Sequence, residues 1–225
     1  MTPYYTDDLV TIYNADCRDV LPSIDPATVD LLLTDPPYGM HLDTDNTSRG
    51  GRAYDRVHGD DEPFDPAPLL RYGRCVLWGA NYYASRLPDS GVWLAWDKRE
   101  GVLENTNADF EVAWTNLPGP SRLYAHRWAG FLRASERGVV LHPTQKPVAL
   151  MRWIVDRWTE PGDLVLDPYM GSGPVAQACH ELRRRYIGVE LVEEYCRVAV
   201  SRLRQQTLDL DAGSDGEALN FGGVA

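Results

Sequence analysis

The chain has 225 residues, 44% of them hydrophobic and 24% charged, and a formal net charge of −11. That size and balance predict one domain of ordinary size with a packed core rather than disorder. The acidic total argues against a sequence-independent nucleic-acid binder, which needs a basic surface, but leaves room for a local basic face.

No apolar run of about eighteen residues occurs, so no membrane span is expected. The N-terminus lacks a basic start followed by an apolar stretch, so no secretory signal is read either. Cys17, Cys75, Cys179 and Cys196 are scattered and read as reduced thiols of a cytoplasmic protein. The five histidines show no metal-binding spacing, so no metal is expected.

In chain order, residues 9–14 (LVTIYN) alternate and branch like a strand. Asp16 and Cys17 follow it, then a short helix near 18–22. Residues 29–34 (VDLLLT) predict a buried strand, with Asp35, Pro36, Pro37 and Tyr38 at its carboxyl end. Taken alone, that DPPY reads better as a plain turn. Residues 40–68 are polar and acidic with three glycines, a long loop of the kind that usually has a task or is disordered.

Strands are predicted at 75–79, 92–96 and 110–114, with residues 116–138 as a connection. Trp78 and Trp96 read as core, or as walls of a pocket. Asp97, Lys98 and Arg99 read as a solvated turn, or as an acid holding one of two cations. A helix from about 147 to 159 opens on Pro147 at a first-turn position and carries one broad apolar side. Residues 163–182 give strand, glycine turn and helix; 186–190 give a strand ended by Glu190; a helix follows from about 192 to 206. This βαβα arrangement builds mostly parallel sheets with helices on both sides. The tail 209–225 is small and polar and reads as frayed.

In 167-DPYMGSGPV-175, Gly171 and Gly173 allow a tight turn and close approach of a ligand to the backbone. The helix behind them offers free N–H groups for a carboxylate or phosphate. Asp167 ends the preceding strand, where a cationic amino group is its natural partner. Glu190 ends the next, where an acid can take both hydroxyls of a ribose. The full dinucleotide pattern is absent, so a mononucleotide-like ligand with an amino-acid-like end fits better than a dinucleotide. A turn cap and a surface acid are the plain alternatives for Asp167 and Glu190.

The order 35-DPPY-38, 142-HPTQKP-147, 167-DPYMGSG-173 resembles the beta-type amino-DNA methyltransferases, over roughly residues 8–205. The family's motif order is circularly permuted, with the catalytic motif ahead of the cofactor motif. The resemblance implies a Rossmann-like three-layer α/β fold. Its central sheet would be mostly parallel, with about seven strands, one of them antiparallel. One catalytic domain over 1–208 would carry target-recognition loops within 40–140.

The resemblance implies S-adenosylmethionine as cofactor. Asp167 and the backbone around Pro168, Tyr169, Gly171, Ser172 and Gly173 would hold its methionine part, and Glu190 its ribose. Asp16 and Cys17 would flank the adenine. Thr144, Gln145 and Lys146 would close over the methionine end, and Asp35 would border the donor as well as the substrate. Tyr169 replaces the family's usual Phe, and Pro174 and Val175 replace a Thr pair, which removes one N–H and one hydroxyl near the carboxylate.

In the implied chemistry, Asp35 and the Pro36 carbonyl accept the two N–H groups of an exocyclic base amine. Pro37 fixes that carbonyl, and Tyr38 stacks on the base. The base must be flipped out of duplex DNA. Arg49, Arg52 and Arg56, and more strongly Arg122, Arg127, Arg133 and Arg137 with their interleaved aromatics, are the expected DNA contacts. Adenine N6 is the expected target, because cytosine N4 enzymes more often carry Ser at the first motif position; cytosine N4 is the alternative. Glutamine methylation in a protein resembles NPPY in the unpermuted order and fits less well, as does a non-catalytic nucleotide- or DNA-binding module. The resemblance also implies a restriction–modification setting and allows a homodimer.

Overall fold

The structure is a computed structural model that describes residues 1–41, 58–100, 108–129, 132–136 and 145–216. Among these, the strands in chain order begin with β1 (Tyr5–Thr6), β2 (Val10–Asn14), β3 (Leu31–Thr34) and β4 (Cys75–Trp78). They continue with β5 (Val92–Asp97), β6 (Phe110–Thr115), β7 (Arg122–Ala125), β8 (Trp128–Ala129), β9 (Leu132–Arg133), β10 (Leu164–Asp167) and β11 (Arg185–Glu190). The helices are α1 (Cys17–Val20), α2 (Val148–Trp158), α3 (Pro174–Glu181) and α4 (Glu193–Gly216).

Nine strands form one sheet in the order β1-β2-β11-β10-β3-β4-β6-β5-β7. Its seven inner strands, β2 to β5 in that order, match the expected count, with β6 antiparallel to both neighbours. Two edge strands exceed the expectation. The two-residue β1 adds a second antiparallel strand, and β7 lies parallel to β5. The expected connection at 116–138 therefore contains a sheet edge, and β8 and β9 add a small hairpin. Its polar residues alternate around Leu123 and Tyr124, too short a signal to separate from a loop.

The sheet is covered on both faces. Leu31 and Leu33 turn to one side with α2, α3 and α4; Leu32 turns to the other with Cys17, Val20, Leu69 and Tyr72. All three leucines are fully buried, which is why β3 reads as an unbroken apolar run rather than an alternating one. At about 1.5–3 kcal/mol per buried side chain, they anchor the strand that ends one residue before Asp35. Trp78 and Trp96 are fully buried in the helix-side core.

Pro147 is not in the first turn of α2 but at its N-cap, with its carbonyl accepting from Leu150 and Met151. The last helix runs on to Gly216, past the end expected near residue 206.

Candidate active site

Parallel strands deliver their carboxyl ends to one edge of a sheet, and ligands bind outside that edge. Here Asp16 lies just past β2, Glu190 ends β11, Asp167 ends β10 and Asp35 directly follows β3. These are four adjacent strands, so four acids expected from the sequence line one edge. A cavity of about 490 Å³ opens there, lined by all four together with Cys17, Tyr169, Gly171 and Lys146. That size lies within the roughly 300–1,000 Å³ of typical cofactor sites.

One half of the cavity is built on the glycine turn. The Met170 N–H reaches back to the Val189 carbonyl (3.0 Å) and the Gly173 N–H to Met170 (3.1 Å). Gly173 itself does not line the cavity. It starts α3 at φ +76°, and a Cβ there would stand 2.8 Å from that of Ala199. The missing side chain there allows α3 to pack closely on α4. Pro174 occupies the first helical position, where a missing N–H costs nothing.

The Glu190 carboxylate accepts from the N–H groups of Gly171 (2.9 Å) and Val192 (2.8 Å). Burial pushes its pKa up, against those N–H groups. Each oxygen keeps a second acceptor site, enough for a diol.

Asp167 is 2% exposed and makes no ion pair among the described residues. It accepts from Thr34 Oγ1 (2.6 Å), the Tyr169 N–H (3.3 Å) and the Tyr186 hydroxyl (3.3 Å). Burial pushes its pKa up to about 7, and the nearby Asp35 adds to the rise. A buried carboxylate in that state fits a cationic group.

Asp16 caps α1 and pairs with Arg18. Cys17 is buried beside it, with burial raising its pKa. The Ser172 hydroxyl and carbonyl take the Arg202 guanidinium (3.3 and 3.0 Å), so its polar atoms serve α4. Together the acids, the glycine turn and the half-buried Tyr169 fit a ligand carrying an amino group, a ribose and an aromatic base.

The other half is built on Asp35. Its Oδ1 accepts from the Tyr38 hydroxyl and its Oδ2 from Lys146 Nζ (2.5 Å). Burial raises the Asp35 pKa, Lys146 opposes the rise and Glu111 adds to it. Lys146 is 5% exposed and also lies 3.0 Å from Glu111 Oε2. Burial disfavours its charge, but Asp35 and Glu111 outweigh that and hold its pKa above the ordinary value. The resemblance puts Lys146 at the methionine end of the donor; it lines the cavity and donates to Asp35. Gln145 lines the cavity but donates to Glu136 (3.1 Å). Thr144 lies outside the described residues.

Pro36 lines the cavity, and among the described residues none donates to its carbonyl. Tyr38 lines the cavity. It stacks on Tyr82, with centroids 5.1 Å apart and planes 10° apart. Gly79, at φ +68°, adjoins the same ring, and a Cβ there would stand 1.9 Å from it.

Several residues were missed by the sequence reading. Asp60 Oδ1 accepts the N–H groups of Tyr38 (3.2 Å), Gly39 (2.9 Å) and Met40 (3.1 Å) and so ties down the turn after Pro37. Nothing in the acidic run distinguished it from Asp61. Glu136 accepts from Arg202 (2.6 Å), Gln145 and the Val148 N–H (2.8 Å), joining α4 to the start of α2. Glu111 is an acid inside an apolar strand pattern, the one local signal that marked it out. Asp97 holds neither neighbouring cation through its side chain. It accepts the Arg99 and Glu100 N–H groups, while Lys98 pairs with Glu111 and Arg99 with Asp109.

Among the expected DNA contacts, Arg49, Arg52, Arg56 and Arg137 lie outside the described residues. Arg122 pairs with Leu94 at the start of β7, roughly 10 Å of strand away from the cavity edge. Arg127 and Arg133 are nearer. The Trp128 N–H reaches Lys98 (2.9 Å) just past the carboxyl end of β5, and Arg133 lies 4.3 Å over the Trp128 ring. Among the described residues, no cluster of His, Cys, Asp and Glu could hold a metal and no helix is long and apolar enough to cross a membrane.

Comparison with known proteins agrees with this geometry. A family model described as DNA methylase matches residues 85–201. The putative methylase YubD of Escherichia coli K12 is 41% identical over 222 residues, covering 89% of this chain and 93% of its own. The solved complex of M1.HpyAVI with SAM superposes with a TM-score of 0.53 at 25% identity, covering 86% of this chain and all of that one. The cytosine-N4-specific PvuII DNA methyltransferase shares the fold, with a TM-score of 0.64 at 16% identity over 91% of this chain and 92% of its own. The chain belongs to the N6/N4 DNA methylase family.

Proposed function

We propose that the protein is a DNA adenine N6-methyltransferase of the permuted, beta-type motif order, with its catalytic domain over residues 1–208 and double-stranded DNA as substrate. The observation that carries this reading is a pair of acids on neighbouring strands, both bordering one cavity. Asp167 is buried without a cation among the described residues, and Asp35 is held by Lys146 and Tyr38.

S-adenosylmethionine supplies a methyl group on a sulfonium sulfur. Asp167 would pair with the ammonium of the methionine part, Glu190 would take the ribose hydroxyls, and Asp16 and Cys17 would flank the adenine. The amine of a nucleobase is a weak nucleophile because its lone pair is spread into the ring. Asp35 accepts one of its N–H groups and the Pro36 carbonyl the other, which directs the lone pair outward. Both acceptors are fixed before the reaction, so little reorganisation is needed as charge develops. As the N–C bond forms, the S–C bond would break to leave a neutral thioether and the amine would give up one proton to water; holding amine and methyl in line would remove much of the entropic part of the barrier. The base reaches this site only when flipped from the duplex, and target recognition falls to segments within 40–140.

Asp35 at the first motif position supports adenine as the base, since a charged acceptor suits the family's adenine enzymes. The fold shared with a cytosine-N4-specific enzyme does not discriminate. Duplex DNA incubated with the protein and labelled S-adenosylmethionine, then digested to nucleosides, tests the assignment. Label in N6-methyldeoxyadenosine is expected. Label in N4-methyldeoxycytidine would overturn the choice of base, and none in either nucleoside would overturn catalysis on DNA.

A further inference from the structure

The antiparallel direction of β6 has a chemical result. Its amino end lies at the sheet edge where the parallel strands finish, so Glu111 reaches the place where Asp35 sits. Glu111 is paired with Trp96 in the sheet, and Lys98 follows the end of β5 on the neighbouring strand. Lys98 Nζ donates to Glu111 Oε1 (2.7 Å), Glu111 Oε2 lies 3.0 Å from Lys146 Nζ, and Lys146 donates to Asp35 Oδ2 (2.5 Å). Four charges thus alternate in sign along the edge and cancel.

We propose that Glu111 and Lys98 are positioning residues for Asp35: they hold the Lys146 ammonium between two carboxylates, so that it orients Asp35 without neutralising it. The proposal rests on the reading of Asp35 as acceptor of the base amine.

An ammonium has three donors and no acceptor. Lys146 donates to Asp35 and to the Tyr38 hydroxyl (3.2 Å) and forms an ion pair with Glu111, which suits a group that is 5% exposed. A buried lysine with Asp35 as its only carboxylate would place its whole attraction there and weaken Asp35 as an acceptor. Glu111 divides that attraction, and its own charge acts on Asp35 in the opposite sense to Lys146. Between Lys146 and Lys98 the Glu111 carboxyl is held ionised: burial would raise its pKa, but the two ammonium groups bring it down to about 2. Among the described residues, the other groups acting on Asp35 and its ring partner are Asp167 and Tyr83. Neither contacts Lys146.

The full chain with Glu111→Gln or Lys98→Gln is compared with the parent in steady-state methylation of duplex DNA across pH, with a thermal melt of each and Asp35→Ala as control. Glu111→Gln removes a negative neighbour, so Asp35 ionises more easily and the acid limb of kcat moves to lower pH. At the optimum kcat falls roughly tenfold while KM for the donor stays within about twofold. Lys98→Gln leaves Glu111 with Lys146 alone and draws that ammonium off Asp35, so its acid limb moves to higher pH. A purely structural role moves neither limb. Limbs that stay put, or that move in the same direction, overturn the proposal. If Glu111→Gln does not melt cooperatively, Lys98→Gln decides on its own: an upward shift supports the proposal and an unmoved limb overturns it. Full methylation by Asp35→Ala would overturn the underlying reading of Asp35. An inactive Asp35→Ala with unmoved limbs overturns this proposal alone.

Discussion

Replacing Asp167 with Asn should stabilise the free protein while weakening its hold on the methyl donor. The Asp167 carboxyl is buried and its pKa rises from 3.8 to about 7. The folded chain therefore binds the proton more tightly than the unfolded one, and stability falls as pH climbs from about 4 towards 7. Each tenfold change in proton affinity is worth ~1.4 kcal/mol, so ionised Asp167 costs the free protein roughly 4 kcal/mol at pH 8.

An amide of the same shape escapes that cost. It keeps an oxygen for Thr34 but loses the acceptor for the Tyr186 hydroxyl, a loss of about 1 kcal/mol. The net gain is about 3 kcal/mol at pH 8 and shrinks by more than half at pH 5. Urea denaturation at the two pH values measures it. Isothermal titration with S-adenosylmethionine should show affinity lower by at least about 2 kcal/mol, roughly thirtyfold, because a charge-assisted bond to the ammonium is removed. A variant less stable than the parent at pH 8, or one that binds donor equally well, would refute the reasoning.

Two further outcomes follow from the same edge of the sheet. Asp60→Ala removes the acceptor of three N–H groups after Pro37; it should lower stability by about 1–3 kcal/mol and slow single-turnover methylation by about tenfold or more. Donor affinity should be unchanged, since none of those three groups belongs to the glycine turn, and a titration checks this. Arg127→Ala combined with Arg133→Ala should weaken DNA binding across sequences and reduce the salt slope by about one for each phosphate that is no longer neutralised. Binding measured over a salt series reads this directly.

The parts legible in the sequence are those whose chemistry is local. β3 and β10 are covered on both faces, so they appear as unbroken apolar runs. Their carboxyl ends carry the acids, which is why Asp35 and Asp167 can be placed at strand ends from the residue pattern alone. Contacts across the sheet are not legible in that way. Glu111 meets Lys146 because β6 runs backwards next to β4, a matter of strand order and register on which the sequence is silent. Asp60 reaches Tyr38 across 22 positions, and Arg202 reaches Glu136 across 66. Each is one charged residue among many, and tertiary packing alone selects it. The stacking of Tyr82 on Tyr38 is a further contact that no motif announces.

The Asp35 carboxylate is the group on which the account turns, and single-turnover methyl transfer by Asp35→Asn examines it most directly. The amide fills the same space but carries no charge, and one of its two ends can no longer accept a hydrogen bond. The rate on duplex DNA should fall about a hundredfold or more, with donor affinity within a few-fold of the parent. A variant that transfers methyl at close to the parent rate would contradict the assignment of Asp35.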